Sequence, residues 1–133
     1  MCSQILRLVA GSFVFLTLLT TLSCGHDQKL VAITVTPNVF TFSNAVAGET
    51  VQYKATGQFV YPPETRDVTR QVTWSVPAPA VIFVDVNGLG TVTGIACGTN
   101  ITVTATGSEN LRLPPTRNVV TATATVNVAL VGC

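Results

Sequence analysis

The chain has 133 residues, room for one domain rather than two, and carries 7 basic against 6 acidic side chains for a net charge of +1. With only 10% of its positions charged, it lacks the concentrated basic surface of a nucleic-acid binder. A hydrophobic content of 47% and a mean hydropathy of +0.51 lie far from the regime of disordered chains. Valine and threonine each occur 21 times. Both are β-branched, which stiffens χ1 and favours a pleated strand, so the composition predicts an all-β domain.

At the N-terminus, Met1-Cys2-Ser3-Gln4-Ile5-Leu6-Arg7 offers a single positive charge, and the next 18 residues, Leu8 to Gly25, carry none of either sign. That length suits both a secretory hydrophobic segment and a membrane-spanning helix, and Arg7 fits the basic flank of either. The end of the run separates them, because Thr20-Thr21-Leu22-Ser23-Cys24-Gly25 places small residues around a cysteine where hydrophobicity stops. This segment resembles a bacterial lipoprotein signal peptide with its lipobox; Thr21 stands where the motif's strongest form has Leu, Val or Ile. The resemblance implies a helical signal peptide over residues 1–23, cut away on export, with Cys24 acylated on its thiol and its new amino group. A plain secretory peptide cut nearby, or an uncleaved anchor helix, would export the remainder equally well. Cys2 falls in the discarded part.

Acylation would make the membrane a partner through Cys24: each buried methylene contributes about 0.8 kcal/mol, and two chains hold a protein stably where one does not. Gly25 lacks the Asp that the lipoprotein family associates with inner-membrane retention, so the implied location is the outer membrane of the cell envelope. The 110 residues from Cys24 onward carry six basic and six acidic side chains, a balance with no built-in steering toward a charged partner. Residues 24–29 form a short tether. The run from Cys24 to the first apolar alternation at Val31 reaches about 20 Å fully extended, so the domain over residues 30–133 hugs its membrane.

From Leu30 the apolar residues recur with a period of two, the mark of half-buried strands. Val31, Ile33 and Val35 share one face, and Pro37 ends the run. After the Gly48-Glu49 turn, Val51, Tyr53 and Ala55 point inward, and Phe59 and Tyr61 extend the strand to Pro62-Pro63. Asp67 to Val76 reads as one strand with Val68, Val72, Trp74 and Val76 toward the core. Val81 to Val86 leads to the turn dipeptide Asn87-Gly88, and a short strand lies around Thr91-Val92-Thr93. Ile101, Val103 and Ala105 mark the sixth strand, and Val120-Ala122-Ala124-Val126-Val128-Leu130 the seventh. No stretch keeps the i, i+3, i+4, i+7 spacing, so no helix longer than a turn is expected. About seven short strands predict an all-β, immunoglobulin-like two-sheet β-sandwich preceded by the signal peptide helix.

Four segments sharpen that prediction: Ile33-Thr34-Val35-Thr36-Pro37, Thr50 to Gly57, Arg66-Asp67-Val68-Thr69 through Val72-Thr73-Trp74-Ser75, and Val92-Thr93-Gly94-Ile95-Ala96-Cys97-Gly98-Thr99. In order and spacing they resemble the bacterial Ig-like group 2 domain over nearly all of residues 30 to 129. The resemblance implies a structural core role for Trp74 and turn-shaping roles for Gly94 and Gly98, with cell-surface binding as the usual setting. The chain departs from that pattern at Cys97, where a small residue is usual, and in the long loop from Ser108 to Asn118.

Export places Cys97 and Cys133 where a disulfide persists. The sixth and seventh strands should form an antiparallel hairpin, so the residue before one lies beside the residue after the other. Closing that loop would contribute about 4 kcal/mol in the chain-entropy treatment. The two thiols lack the CxxC spacing and nearby His of a zinc site, so no metal is predicted. His26, the chain's one histidine, lies in the tether, away from any nucleophile. Glu64 and Asp67 stand beside Arg66 and Arg70 as a solvated charge cluster, and Asp85 and Asn87 read as turn formers rather than calcium ligands. Asn100-Ile101-Thr102 matches the glycosylation sequon by chance.

Phe59 and Tyr61, with the Pro62-Pro63 loop, are the candidate binding surface, set against the simpler reading that both rings finish a strand and pack. The Leu111-Arg112-Leu113-Pro114-Pro115 loop is a second candidate, notable for length alone. No cofactor is predicted, and the few titratable residues speak against an enzyme. The expected function is a non-catalytic, lipid-anchored envelope module in adhesion or in a structural assembly, with an unknown envelope protein or glycan as partner. The alternative is a carbohydrate-binding or accessory module of an envelope enzyme or transporter. A single domain on a short tether projects too little for the arrayed-adhesin form of the first reading.

Overall fold

The computed structural model of the chain describes residues 28–112 and 118–133. The signal peptide, Cys24, His26 and the Leu113-Pro114-Pro115 part of the long loop lie outside the described residues. Within them the fold is all-β, with ten strands: β1 (Lys29–Thr36), β2 (Val39–Ala45), β3 (Thr50–Gln52), β4 (Lys54–Val60), β5 (Glu64–Asp67), β6 (Thr73–Ser75), β7 (Ile82–Val84), β8 (Leu89–Val92), β9 (Gly98–Ser108) and β10 (Val119–Leu130). They form three sheets, ordered β1-β4-β5, β2-β10-β9-β6 and β3-β8-β7.

The count exceeds seven for three local reasons. Pro37 has no N–H to continue the β1 ladder, so the chain leaves β4 there and starts again on another sheet. The new strand, β2, runs parallel to β10 from Thr125↔Val39 onward and was absent from the sequence reading. Its Phe42 and Ala45 are buried, and the Phe40 and Phe42 rings meet edge to face at 4.8 Å. Tyr53 then interrupts the next strand between β3 and β4. Its N–H donates to the Gly88 carbonyl at 2.8 Å, so two of the sheets share one continuous length of backbone.

The third reason lies at Val68 to Val72. The expected single strand from Asp67 to Val76 is broken by a tight turn, in which the Gln71 and Val72 N–H groups donate to the Val68 carbonyl at 2.8 and 3.2 Å. The turn carries the chain from β5, paired with β4, to β6, paired with β9. Thr69 fastens it: the buried hydroxyl accepts from the Ala55 N–H at 3.0 Å. Val72 lies four positions after Val68, so both reach the core whether the segment is extended or turned.

A register shift between Leu30 and Ala32 corrects the facing of β1. It brings Leu30 fully into the core and turns Val31 outward at 45% exposure, while Ile33 and Val35 stay buried as expected. The β9–β10 hairpin follows the expected pairing, from Val119↔Ser108 to Val128↔Gly98, with Ala124, Val126 and Val128 buried. One core gathers side chains from all three sheets, with Tyr53, Leu30, Ile82 and Val103 at its centre. Trp74, expected in the core, lies at its margin. Its ring packs 6.1 Å from that of Tyr53 and its indole N–H donates to the Thr69 carbonyl at 3.0 Å.

Candidate functional site

The strand directions give the domain two poles. At the first, Lys29 pairs with Val60 in the β1–β4 register, and the Leu30 N–H donates to the Glu109 carbonyl at 2.7 Å. The Lys29 ammonium meets the Glu109 carboxylate at 2.9 Å, and the Gln28 amide donates to Glu64 at 2.8 Å. The start of the described chain is thereby fixed against β5 and the end of β9. At the second pole β10 ends and β9 begins. There the sulfurs of Cys97 and Cys133 sit at disulfide distance, with their Cα atoms 6.7 Å apart.

The Phe59 and Tyr61 pair proposed as a binding surface is divided by the structure. Phe59 is only 4% exposed, packed in the core with the Arg66 guanidinium 4.2 Å above its ring, so it offers no surface. Tyr61 is 68% exposed. The two residues share strand parity, yet β4 ends at Val60 and Tyr61 takes a φ of 63°, which swings its ring away from the sheet. The residue lies at the first pole, between Val60, paired with Lys29, and Glu64, bonded to Gln28.

The acidic side chains are engaged in turns and edges. Asp67 accepts from the Thr69 N–H at 2.9 Å, and Lys54 stands 3.8 Å away; bonding to Thr69 first, then Lys54, holds its carboxyl below the usual carboxylate range. Asp85 accepts from the backbone N–H groups of Leu89 at 2.9 Å and Asn87 at 2.8 Å and from the Asn87 amide at 3.1 Å. These bonds, led by that to Leu89, lower its pKa too. Asp85 thus closes the β7–β8 turn, where Gly88 has a φ of +77° and a Cβ would sit 2.5 Å from the Tyr53 carbonyl. Glu64 bonds Gln28 rather than joining Asp67. Among the described residues no group of three or more His, Cys, Asp or Glu side chains could hold a metal.

At the second pole, the sequence reading missed a set of exposed apolar residues. Val46, Ile95 and Val131 are 56%, 77% and 71% exposed. Pairing of Leu130 with Ala45 sets Val131 near Val46, and Gly94 packs against Ala47, where an added Cβ would approach the Ala47 Cβ to 2.6 Å. Each residue lies in a separate turn, so no periodicity in the sequence joins them.

No family model matches the chain, and no curated protein matches it. The likeness to the bacterial Ig-like group 2 domain therefore rests on the four sequence segments alone.

Proposed function

We propose that the chain is a non-catalytic, lipid-anchored module of the bacterial cell envelope with an immunoglobulin-like sandwich, acting in adhesion or in a structural protein assembly. The observation that carries this reading is the opposition of the poles: the chain enters the fold at one, and the cysteine pair and the exposed apolar residues occupy the other. An anchor at Cys24 would leave the cysteine pole outermost. Three further features support the reading. The β1-to-β2 switch at Pro37, with β2 parallel to β10, and the β5-to-β6 crossing let the three sheets be taken as the two layers of an Ig-like sandwich. A cysteine pair at disulfide distance suits an oxidising compartment. The carboxylates of Asp67 and Asp85 are committed to backbone turns rather than converging on a cleft.

Burial of Phe59 removes one of the two rings a sugar-stacking platform would use, so a protein partner is preferred to a glycan. The test is the intact mass of the protein purified from its host membranes, with and without reductant. The expected mass is that of residues 24–133 plus acyl chains, rising by two hydrogens on reduction. An uncleaved or unmodified mass overturns the anchor. Photocrosslinking from position 95 should then capture an envelope protein; capture of glycan alone would favour the accessory-module alternative.

A further inference from the structure

The first pole holds an aromatic ring in a conformation that local geometry disfavours. Tyr61 is neither Gly nor Asn, yet its φ is 63°, a region L side chains enter rarely, and the ring it carries is 68% exposed. Among the described residues burial does not reward that arrangement, since Phe59 fills the core position of this strand end. Leu111, on the loop after β9, packs half-buried against the core at the same pole. Its Cδ2 and that of Leu30 both flank Gly107, and Leu30 is bonded through its N–H to Glu109. Arg112, beside Leu111, is exposed. The pole thus presents an amphipathic ring with a hydroxyl tip next to Gln28 and Lys29, and an exposed cation three residues past Glu109, the partner of Lys29.

We infer that this pole is a membrane-contact surface: Tyr61 inserts its ring at the headgroup level of the bilayer that holds the anchor, with Arg112 toward lipid phosphates. The inference rests on the proposed acylation of Cys24. Its further basis is reach. Gln28, the first described residue, is pinned to Glu64, and only three residues lie between it and Cys24, at most about 14 Å of extended chain. A pole held that close to the bilayer brings Tyr61 to the interface, the depth at which tyrosine is enriched in membrane proteins. β10, with 12 residues at about 3.3 Å each, places the cysteine pole roughly 35 Å further out.

The full-length lipoprotein, purified from membranes and reconstituted in phosphatidylethanolamine–phosphatidylglycerol vesicles with brominated acyl chains, tests this. Wild-type emission comes from Trp74, and the Tyr61→Trp and Ile95→Trp variants each add one reporter, at the near and far poles. The Tyr61→Trp increment should fall at least twofold in brominated vesicles relative to plain ones, and the Ile95→Trp increment should not change. An unquenched Tyr61→Trp increment in protein whose mass carries acyl chains overturns the membrane contact and leaves the anchor standing. Equal quenching at both positions overturns the upright orientation. A mass without acyl chains overturns the anchor and this inference together.

Discussion

The Tyr53 ring lies 6.1 Å from the Trp74 ring, tilted by 36°, and joins the strand that two sheets share to the β6 edge of the third. The contact places a phenol at the centre of an apolar core. Among the described residues its hydroxyl finds no hydrogen-bond partner, and burial pushes its pKa up to about 12. Below pH 10 the phenol keeps its proton in both folded and unfolded chains, so it adds no pH dependence. Between pH 10 and 12 only the unfolded chain releases the proton, and stability should fall by about 3 kcal/mol across that window. Tyr53→Phe removes the unpartnered hydroxyl and should raise stability at neutral pH by about 1 kcal/mol while abolishing its share of the alkaline loss. Urea unfolding at pH 7 and pH 11.5 measures both; a variant that loses stability at pH 7 would reveal a partner for the hydroxyl.

The link between Cys97 and Cys133 closes the β9–β10 hairpin at its open end. Replacing both residues by Ala should cost about 4 kcal/mol, the loop-closure entropy returned to the unfolded chain. The shift in urea midpoint on adding reductant to the wild type should match that of the double variant, and reductant should leave the variant unchanged.

Phe59 and Tyr61 differ by two positions and should differ widely in consequence. Phe59→Ala opens a cavity under Arg66 and should cost about 3–5 kcal/mol. Tyr61→Gly relieves the left-handed backbone and should stabilise the fold by about 1 kcal/mol. Thermal melts of the two variants check this directly, and equal losses would put both rings in the core.

Asp67 and Asp85 have depressed carboxyl pKa values in the fold, through their bonds to Thr69 and Leu89 in the first place. A depressed folded pKa stabilises above the ordinary carboxylate value, and that contribution is lost as pH falls through the folded value. The melting temperature should therefore decline on acidification below about pH 4. The decline should be shallower in an Asp67→Asn/Asp85→Asn variant; identical profiles would mean that other groups govern acid unfolding.

β10 was legible in the sequence because its alternation is long and its buried face carries only aliphatic side chains. The hairpin it forms with β9 followed from two alternating runs on either side of one loop, and with it the approach of Cys97 to Cys133. β2 was not legible because Pro37 reads as the end of a strand, whereas here it marks a change of partner. The turn at Val68 to Val72 was hidden because a four-residue step has the same parity as a strand and nearly the period of a helical turn. Tyr61 shows the same limit at the candidate site. Parity places it with Phe59, and only its backbone dihedral reveals that the ring leaves the sheet. The grouping of Val46, Ile95 and Val131 depends on three turns meeting in space, which no local pattern encodes.

The parallel run of β2 along β10 has a mechanical side. Tension applied between the start of the fold at Gln28 and its far end past Leu130 would draw these two strands lengthwise in opposite directions. Their cross-strand bonds, from Thr125↔Val39 to Leu130↔Ala45, lie across that pull and would have to yield together rather than open one after another. The cysteine link ties the trailing end of β10 to the start of β9 and spreads the load to a third strand. A domain held at one end and gripped at the other would then resist extension as a shear clamp, bearing load along its length without coming apart.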